Sequence, residues 1–487
     1  MTRTSSVCTI WVDVDDFFHY ARNNPRPSGI QRVVHEILSV LEARAALRQE
    51  AAHIRFVRRG AGDEPFAEVC FSEISSLFER LSGSPLPSTG PDESPRERLP
   101  LIAAASSFET LRRTLIRSFE ALPPDTGNLL LAAGVSQVRA LRLLRRFLRP
   151  RHPQPVISTD AVSASQAAST PVPLACAPRK DDILLILGAA WCDPLFGERL
   201  RLARERYGVR PVQLIHDLIP ARRPEWCHPS LVRDFRHWLE TSLPQCSEIL
   251  AISSATAHDV GCYAREHFIH LSAPVRVMPM GCGFSDMNAT LETTCPGLPA
   301  PGTYILFVST LEARKNHGFL LRVWRRLLSE TGSEPVPTLV FAGRIGWLVT
   351  DLLQQLDNAD WLQGKIRLIA DPTDTELKHL YKNCLFTVFP SLFEGWGLPV
   401  TESLAMGAPC LASDVTSIPE AGGRFARYFD PDNVQDAADK IRSTFQNQDA
   451  LAEWKNMIRT EFRSASWEAA ADTLLDACAA AGRRGEL

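Results

Sequence analysis

One stretch of this sequence constrains the fold more than any other. It runs from the apolar segment Cys384–Phe389, through a loop that contains Gly395 and Gly397, into a helical pattern that Gly407 closes, and then into a second apolar segment, Pro409–Ser413. Short apolar and β-branched runs of this kind are typical of buried strands in a parallel sheet. The order of strand, glycine loop, helix and strand predicts a ligand site at the loop and the helix start.

The residue types in the loop indicate what that ligand carries. Gly395 and Gly397 have no Cβ, so the backbone can approach a ligand closely. Pro399 is suited to the first helical position, and the free N–H groups that open the helix at Leu398 form an anion site. The loop therefore predicts a phosphate site.

Two glutamates flank the same loop at different depths. Glu394 precedes the glycines, and Glu402 lies about one turn inside the predicted helix. Carboxylates accept paired hydrogen bonds from vicinal hydroxyls, which a sugar ring or a ribose provides. The alternative is that Glu394 is a solvated loop charge and Glu402 an ordinary acid in the first turn of a helix. Their combination with the glycines favours a functional role.

The whole stretch Phe393–Glu420 resembles the donor-site signature of family 4 retaining glycosyltransferases, through the spacing Glu394-x7-Glu402. The resemblance implies that Glu394 contacts the transferred sugar, that Glu402 binds the ribose, and that the amides of Gly397 and Leu398 hold the diphosphate. It also implies the GT-B fold, an α/β architecture in which two Rossmann-like, doubly wound parallel-sheet domains face each other across a cleft. The expected co-substrate is a nucleotide-diphosphate sugar, with no metal and no other cofactor.

Composition is compatible with this assignment and excludes other classes. The chain has 487 residues, which predicts two domains of about 200 residues each plus insertions. A formal charge of −3 gives no reason to expect nucleic acid as a partner. Twelve scattered cysteines without a CxxC pair indicate reduced thiols. With no signal peptide and no long apolar stretch, the expected location is cytoplasmic.

The pattern of predicted elements gives a domain plan. Residues 1–290 are expected to form an acceptor-side Rossmann-like domain with an irregular insertion at about 42–180, and residues 300–465 a nucleotide-sugar donor domain. The polar, proline-rich segment between Asp286 and Gly302 separates them. The resemblance implies that a terminal helix, 466–487, returns to the first domain.

Two loops of the first domain contain candidate site residues. Gly29 begins a predicted helix, where it serves either close ligand approach or ordinary capping. The segment SGIQRVV resembles the opening loop of bacterial members of the family, which favours donor binding. His216 ends an apolar strand, where open α/β sheets bind ligands. A lone histidine is more often structural, but IHDLIPARRPEW resembles the family's strand-end motif, whose histidine faces the donor sugar.

A basic pair follows the first strand of the second domain. Arg314 and Lys315 come just after the predicted strand Tyr304–Ser309, so they are placed to neutralise a diphosphate leaving group. The alternative is a surface charge pair. The segment resembles the family's phosphate-binding loop, although Thr310 stands where many members carry a further arginine, and Thr310 is included among the donor-binding residues.

An acidic pair and a basic amphipathic segment are two further patterns that bear on function. Asp13-x-Asp15 ends the first strand without a preceding nucleotide-binding unit, so it is interpreted as an acid cluster at a strand end and no metal is predicted. The basic amphipathic segment Arg139–Arg151 either contacts an anionic membrane surface peripherally or forms a solvated helix face.

The sequence thus predicts a retaining, metal-independent hexosyltransferase that acts in cell-surface polysaccharide synthesis. GDP-mannose is the first expectation for the donor, and UDP-glucose or dTDP-rhamnose are the alternatives. The expected acceptor is a saccharide or a polyprenyl-linked saccharide. A nucleotide-sugar 2-epimerase and a non-catalytic nucleotide-sugar-binding module remain as alternative functions.

Overall fold

The computed structural model describes residues 8–24, 26–46, 53–60, 66–82, 172–173, 178–282, 297–330 and 335–483. These residues contain two separate β-sheets, one of eight strands and one of six. We call the first sheet and the helices packed on it the first lobe, and the second sheet with its helices the second lobe.

The strands of the first sheet are β1 (Thr9–Asp13), β2 (His53–Arg59), β3 (Phe66–Val69), β4 (Val172–Pro173), β5 (Ile183–Ile186), β6 (Arg210–Ile215), β7 (Glu248–Ala251) and β8 (Arg276–Val277). They lie in the order β4-β3-β2-β1-β5-β6-β7-β8. The six strands β2, β1, β5, β6, β7 and β8 are parallel to one another, whereas β3 pairs antiparallel with both β2 and β4 at one edge.

Helices cover both faces of this sheet, because its central strands are apolar on both sides. In β5, Ile183 and Leu185 join one core, and Leu184 and Ile186 join the core on the opposite face. The helices are α1 (Asp15–Asn23), α2 (Gly29–Ala46), α3 (Phe71–Ser82), α4 (Phe196–Tyr207), α5 (Ile219–Arg222), α6 (Pro229–Ser242) and α7 (Ser254–Glu266), with 3-10 turns at Ala190–Cys192, Pro224–Trp226 and Leu243–Gln245.

The second sheet is parallel throughout, in the order β11-β10-β9-β12-β13-β14. It again has a core on each face, since Ile305 and Phe307 of β9 lie on one side and Tyr304 and Leu306 on the other. The strands are β9 (Tyr304–Val308), β10 (Thr338–Ala342), β11 (Ile366–Ile369), β12 (Thr387–Phe389), β13 (Cys410–Ser413) and β14 (Arg427–Phe429).

The helices of the remaining chain follow these strands in sequence. They are α8 (His317–Glu330), α9 (Thr350–Asn358), α10 (Asp374–Asn383), α11 (Leu398–Ala405), α12 (Ile418–Gly422), α13 (Val434–Gln446), α14 (Gln448–Glu461) and α15 (Trp467–Arg483), with short turns at Ala313–Lys315, Asp360–Gln363 and Gly423–Phe425. Two doubly wound parallel sheets confirm the predicted α/β fold class.

The last helix, α15, packs on the first sheet, although it follows the second lobe in sequence. Trp467 and Leu474 belong to the first-lobe core. The indole nitrogen of Trp467 donates to the carbonyl of Cys282 at 2.9 Å. A Cβ at Gly281 would lie 2.4 Å from the Trp467 ring, so this packing requires glycine there.

One part of the predicted organisation differs from the structure. Residues 53–82 fall in the segment expected to be an irregular insertion, yet they form β2, β3 and α3. Arginines interrupt the apolar pattern of β2 and hid the strand. Arg55 forms an ion pair with Glu68 of β3 at 2.7 Å and also lies over the ring of Trp11, so its charge is satisfied within the sheet.

Other predictions concern residues that the structure does not describe. The basic segment 139–151 lies outside the described residues, as does most of the predicted domain boundary. Within the described ranges, no helix combines the length and apolar character that crossing a membrane requires.

A half-buried histidine in the first lobe lacks polar partners. The ring of His35 stacks on Phe78 with centroids 3.9 Å apart and lies 6.5 Å from Phe17. Among the described residues, neither ring nitrogen has a hydrogen-bond partner. Burial lowers the pKa of His35 to about 4, because the charged form loses its hydration without gaining an acceptor.

We expect the His35→Phe variant to resist acid better than the parent chain. The folded pKa of about 4 lies below the ordinary value near 6.5, so only the unfolded chain takes up this proton between those values, and stability falls as the pH drops through that window. Phenylalanine keeps the ring stack and has no proton to bind. The melting-temperature difference between variant and parent, followed by calorimetry, should grow from pH 7.5 to pH 5; a constant difference would contradict the prediction.

Candidate functional site

The predicted site residues come from strand ends of both lobes that meet at one place. His216 follows β6 of the first lobe, Arg314 and Lys315 follow β9 of the second, and Glu394 and Gly395 follow β12. The carboxyl ends of parallel strands are where such folds bind ligands, because the loops there are free of the sheet.

The lobes touch directly at Gly395. A Cβ at this position would lie 2.1 Å from the carbonyl oxygen of His216, so no residue other than glycine fits without moving the first-lobe backbone. The hydroxyl of Thr256 lies 3.4 Å from the carbonyl oxygens of both residues. The sequence predicted glycine here for close approach of a ligand; in the structure it is the other lobe that approaches.

Glu394 lies at the centre of a buried cluster of charges. Its Oε1 accepts from Nζ of Lys315 at 2.5 Å, and its Oε2 is 2.8 Å from Nη1 of Arg314. Burial would raise the pKa of Glu394, but the two cations outweigh that effect and hold the pKa at about 2. The carboxylate is therefore ionised throughout the physiological range.

Two further carboxylates surround Arg314. Its Nε is 3.3 Å from Oε2 of Glu312, and Asp217 of the first lobe also acts on its charge. Burial would lower the pKa of Arg314, but Glu394, Glu312 and Asp217 raise it. For Lys315, burial and the Arg314 charge together lower the pKa despite Glu394. The basic pair is thus already neutralised by protein carboxylates.

His216 is buried and uncharged at neutral pH. Burial lowers its pKa to about 4, against the opposing effect of a hydrogen bond to the carbonyl of Leu187 at 2.7 Å. A carbonyl only accepts, so Nε2 carries the proton and Nδ1 of the neutral ring remains an acceptor. Beside it, burial raises the pKa of Asp217, whose carboxylate accepts from the amide of Ile219 at 2.9 Å.

The glycine loop leads into α11 as an anion site requires. Gly397 is the N-cap residue with a left-handed φ of 107°, Leu398 is the first helical residue, and Pro399 is the second. The prediction placed Pro399 first, one position too early. Pro399 has no N–H, and the Val400 amide bonds to the Gly397 carbonyl at 2.9 Å. The amides of Gly397 and Leu398 thus remain, among the described residues, the donors without a protein acceptor.

Helix α2 of the first lobe begins next to this anion site. The Cα of Gly29 is close to α11, since a Cβ there would lie 3.6 Å from Cδ1 of Leu398, an ordinary contact. Thr310 lies between β9 and the turn that contains the basic pair. Its methyl group is close to the backbone of Gly346, since a Cβ at Gly346 would lie 2.8 Å from it. The predicted role of both residues in donor binding stays a prediction.

Glu402 is buried at the far end of the site. The phenol of Tyr381 donates to its Oε2 at 2.9 Å. Burial raises the pKa of Glu402, while Arg32 of the first lobe and Tyr381 oppose that rise. Arg32 itself forms a bidentate ion pair with Asp374 of the second lobe, with distances of 2.9 and 2.6 Å.

A third contact between the lobes involves Glu420, which closes the predicted signature stretch. Its two carboxylate oxygens accept from the amides of Ser254 and Ala255 at 2.7 and 2.9 Å. These amides open α7 of the first lobe, where the helix dipole favours an anion.

Several residues that the structure brings to the candidate site were not predicted to have a role there. Glu312, Asp217, Tyr381, Arg32 and Glu420 each contact a predicted residue or bridge the lobes. Glu312 and Asp217 lie next to recognised motifs, so proximity in sequence was a usable signal. Tyr381 and Arg32 lie in helices whose sequence patterns indicate only packing.

The acidic pair at the end of β1 lines a small open cleft in the first lobe, together with Asp16, Asp193 and Arg199. Burial raises the pKa of Asp13 to about 7 and that of its neighbour Asp16 to about 6. Asp193 and Arg199 pair on the opposite wall. Over the described part of the chain, no group of three or more His, Cys, Asp and Glu side chains is placed to hold a metal ion, and metal independence stays a prediction.

Comparison with known proteins gives consistent matches. Residues 296–461 match the family model described as glycosyl transferases group 1. The serotype-specific mannosyltransferase WbdA of Escherichia coli is 27% identical over 275 residues, which cover 54% of this chain and 32% of that protein. The O-antigen chain mannosyltransferase B of Escherichia coli is 28% identical over 271 residues, 53% of this chain and 67% of that protein. The matched part of this chain therefore spans about a third of the length of WbdA.

A solved structure aligns along nearly the whole chain. The glycosyltransferase from Rickettsia africae aligns over 97% of both chains with a TM-score of 0.51, at 14% sequence identity. At that identity the likeness establishes the GT-B fold and nothing about substrates.

We expect the Gly395→Ala variant to separate the lobes. The added methyl group would meet the carbonyl oxygen of His216, a backbone atom that cannot rotate away. Overpacking of this kind costs about 1–3 kcal/mol when the structure must shift. The variant should melt at a lower temperature and show a larger radius of gyration in small-angle X-ray scattering.

Gly261→Ala is the matched control for this variant. Gly261 lies within α7, and a Cβ there would meet only Nη1 of Arg265 at 3.7 Å. Alanine is also the better helix former, so the control should be neutral or slightly stabilising. If Gly395→Ala matched this control in both measurements, the proposed contact between the lobes would not exist in solution.

Proposed function

We propose that the protein transfers a hexose from a nucleotide-diphosphate sugar to a saccharide acceptor, with retention of anomeric configuration; the match of residues 296–461 to the model of glycosyl transferases group 1 supports this proposal. The acceptor is a saccharide or a lipid-linked saccharide of a cell-surface polysaccharide, and the reaction takes place in the cytoplasm. Among the relatives are mannosyltransferases of Escherichia coli, which favours mannose as the transferred sugar and GDP-mannose as the donor.

The observation that carries this proposal is the cluster of Glu394, Arg314 and Lys315 beside His216. Glu394 is paired with both cations at 2.8 Å or less. In the proposed complex, the donor diphosphate takes over Arg314 and Lys315 and frees the oxygens of Glu394 for hydroxyls of the sugar. The cations proposed to bind the phosphates are thus the same ones that pair with Glu394. Phosphate binding would therefore free Glu394 to accept hydrogen bonds from the sugar.

Two features of α11 support the diphosphate position. The amides of Gly397 and Leu398 open the helix, and the positive end of its dipole favours an anion there. With the cations of Arg314 and Lys315 opposite, the developing negative charge of the leaving group is stabilised by protein groups alone. The proposal includes no metal.

In the proposed reaction, the bond between the anomeric carbon and the phosphate oxygen breaks, and the nucleoside diphosphate leaves with the electron pair. The sugar becomes oxocarbenium-like, oriented by Glu394 and by the neutral ring of His216. The acceptor hydroxyl forms the new bond on the same face, and its proton passes to the departing phosphate. The products are the glycosylated acceptor and the nucleoside diphosphate.

A donor screen tests this function. The purified chain is incubated with GDP-mannose, UDP-glucose, UDP-N-acetylglucosamine and dTDP-rhamnose, with and without a polyprenyl-linked saccharide, and nucleotide release is followed. We expect release from one donor, dependent on acceptor, with GDP-mannose the first expectation. Conversion of a donor to its epimer without acceptor would identify a 2-epimerase, and binding without any turnover would favour a binding module.

The variant Glu394→Gln tests the shared-charge site. We expect transfer to fall by a factor of about 100 or more, because the sugar loses its ionised acceptor. Nucleoside diphosphate should bind as tightly as before or more tightly, because the carboxylate that competes for Arg314 and Lys315 has gone. Isothermal titration with GDP and UDP gives the affinities, and acceptor-dependent nucleotide release gives the activity.

Two checks keep this result interpretable. The variant leaves two buried cations without their main partner, which destabilises a fold by about 3–5 kcal/mol. Because a bound nucleoside diphosphate would supply the missing negative charge, it should raise the melting temperature of the variant more than that of the parent. Glu453→Gln, at an exposed position of α14, is the charge-matched control. Undiminished transfer in Glu394→Gln, or nucleotide affinity that falls as far as transfer does, would contradict the proposed role.

A further inference from the structure

Tyr381 is a fully buried tyrosine whose hydroxyl is directed at a carboxylate. It lies on α10 with 1% of its surface exposed and donates to Oε2 of Glu402 on α11 at 2.9 Å. A buried phenol requires a hydrogen-bond acceptor, and most find a backbone carbonyl. In the same lobe, Tyr304 does so, since its hydroxyl donates to the carbonyl of Leu380 at 2.8 Å.

Because of this hydrogen bond, the two carboxylate oxygens of Glu402 have different surroundings. Oε2 accepts from the phenol, which fixes the plane of the carboxylate in its buried position, while over the described part of the chain Oε1 has no hydrogen-bond donor. Glu402 is only 7% exposed, so its orientation is set by these neighbours and not by solvent.

We propose that Tyr381 is a positioning residue for nucleotide recognition, which orients Glu402 so that its second oxygen accepts from the vicinal hydroxyls of a ribose. The inference rests on the proposed function, because it assigns the nucleotide of the donor to the Glu402 end of the site. Its consequence is selectivity: the site discriminates ribonucleotides from deoxyribonucleotides through a residue that does not touch the ligand.

The charges around Glu402 also determine its protonation. Burial raises its pKa, and so does Asp374 of α10, whereas Arg32 of α2 and the hydroxyl of Tyr381 lower it. Burial keeps the pKa of the Tyr381 phenol well above its usual value, and the nearby charges of Glu402, Cys410 and Cys282 act in the same direction. Tyr381 therefore remains a protonated donor at physiological pH, and together with Arg32 it opposes the rise that burial causes in the pKa of Glu402.

The experiment compares Tyr381→Phe with Tyr304→Phe, a matched pair that removes one buried hydroxyl each and keeps the ring. Dissociation constants are measured for GDP, UDP and their 2′-deoxy and 3′-deoxy forms. The parent should prefer the ribose form, and Tyr381→Phe should reduce that preference by about tenfold, the usual effect of one hydrogen bond to a charged group. Tyr304→Phe should keep the preference of the parent. Because the preference is a ratio within one protein, it does not depend on the folded fraction.

Steady-state kinetics add a second, independent readout. In Tyr381→Phe the KM for the donor should rise by about tenfold while kcat changes little, because the ribose is remote from the reacting centre. Without the phenol the pKa of Glu402 rises further, so protonation begins at a higher pH on acidification. The rise of KM at low pH should therefore move to higher pH in Tyr381→Phe and stay in place in Tyr304→Phe.

The outcomes separate this inference from the proposed function. If Glu402→Gln abolishes the ribose preference while Tyr381→Phe preserves it and its pH profile, Tyr381 is a structural tyrosine and the inference is wrong. If the parent chain binds dTDP and neither GDP nor UDP, the inference is wrong while sugar transfer from a dTDP-sugar stands; if it binds none of the three, both the function and the inference are wrong. If the two phenylalanine variants lose the same melting temperature and neither changes the ribose preference, Tyr381 has only a structural role and the inference is likewise wrong.

Discussion

The contact between Gly395 and the carbonyl of His216 is the constraint on which the site depends. It brings a loop of the second lobe against the end of β6 in the first, closer than any side chain would allow. Because the two partners lie next to Glu394 and to the ring of His216, backbone contact fixes the distance between the acid and the imidazole. The candidate site therefore takes residues from both lobes, and the junction of two domains is a frequent position for ligand sites.

The charge cluster can exist only because the site is closed in this way. Arg314, Lys315 and Glu394 are all largely buried, and isolated charges would not tolerate that environment. Their mutual pairing holds each ionised, with the pKa of Glu394 pulled down to about 2. A diphosphate offers the same cations two negative charges in place of one carboxylate. An anionic ligand that takes these cations leaves Glu394 as a buried carboxylate, so the exchange is favourable only if other donors, such as the hydroxyls of a sugar, then hydrogen-bond to it.

The sequence predicted the fold and the centre of the site better than its surroundings. Apolar runs that end in glycine loops specify parallel strands locally, which is why β12 and α11 were predictable. Residues 53–82 were missed because arginines that are satisfied within the sheet look like a polar loop when seen in sequence. Tyr381 and Arg32 were missed for a different reason. A buried tyrosine and a helix arginine carry no local signal, and their partners, Glu402 and Asp374, are specified by the tertiary fold.

The lobes are joined by polar contacts and by apolar packing, since Trp396 and Leu398 of the second lobe pack against the first-lobe core. Glu420 at the start of α7 and the ion pair of Arg32 with Asp374 hold the lobes together through charge. An exposed carboxylate at a helix start contributes about 0.3–1 kcal/mol, and salt weakens it further. Salt should therefore weaken the polar part of the contact between the lobes, while the packing of Trp396 and Leu398 on the first-lobe core is not screened. The polar contacts set the register of the lobes, and the apolar packing contributes the part of their association that does not depend on ionic strength.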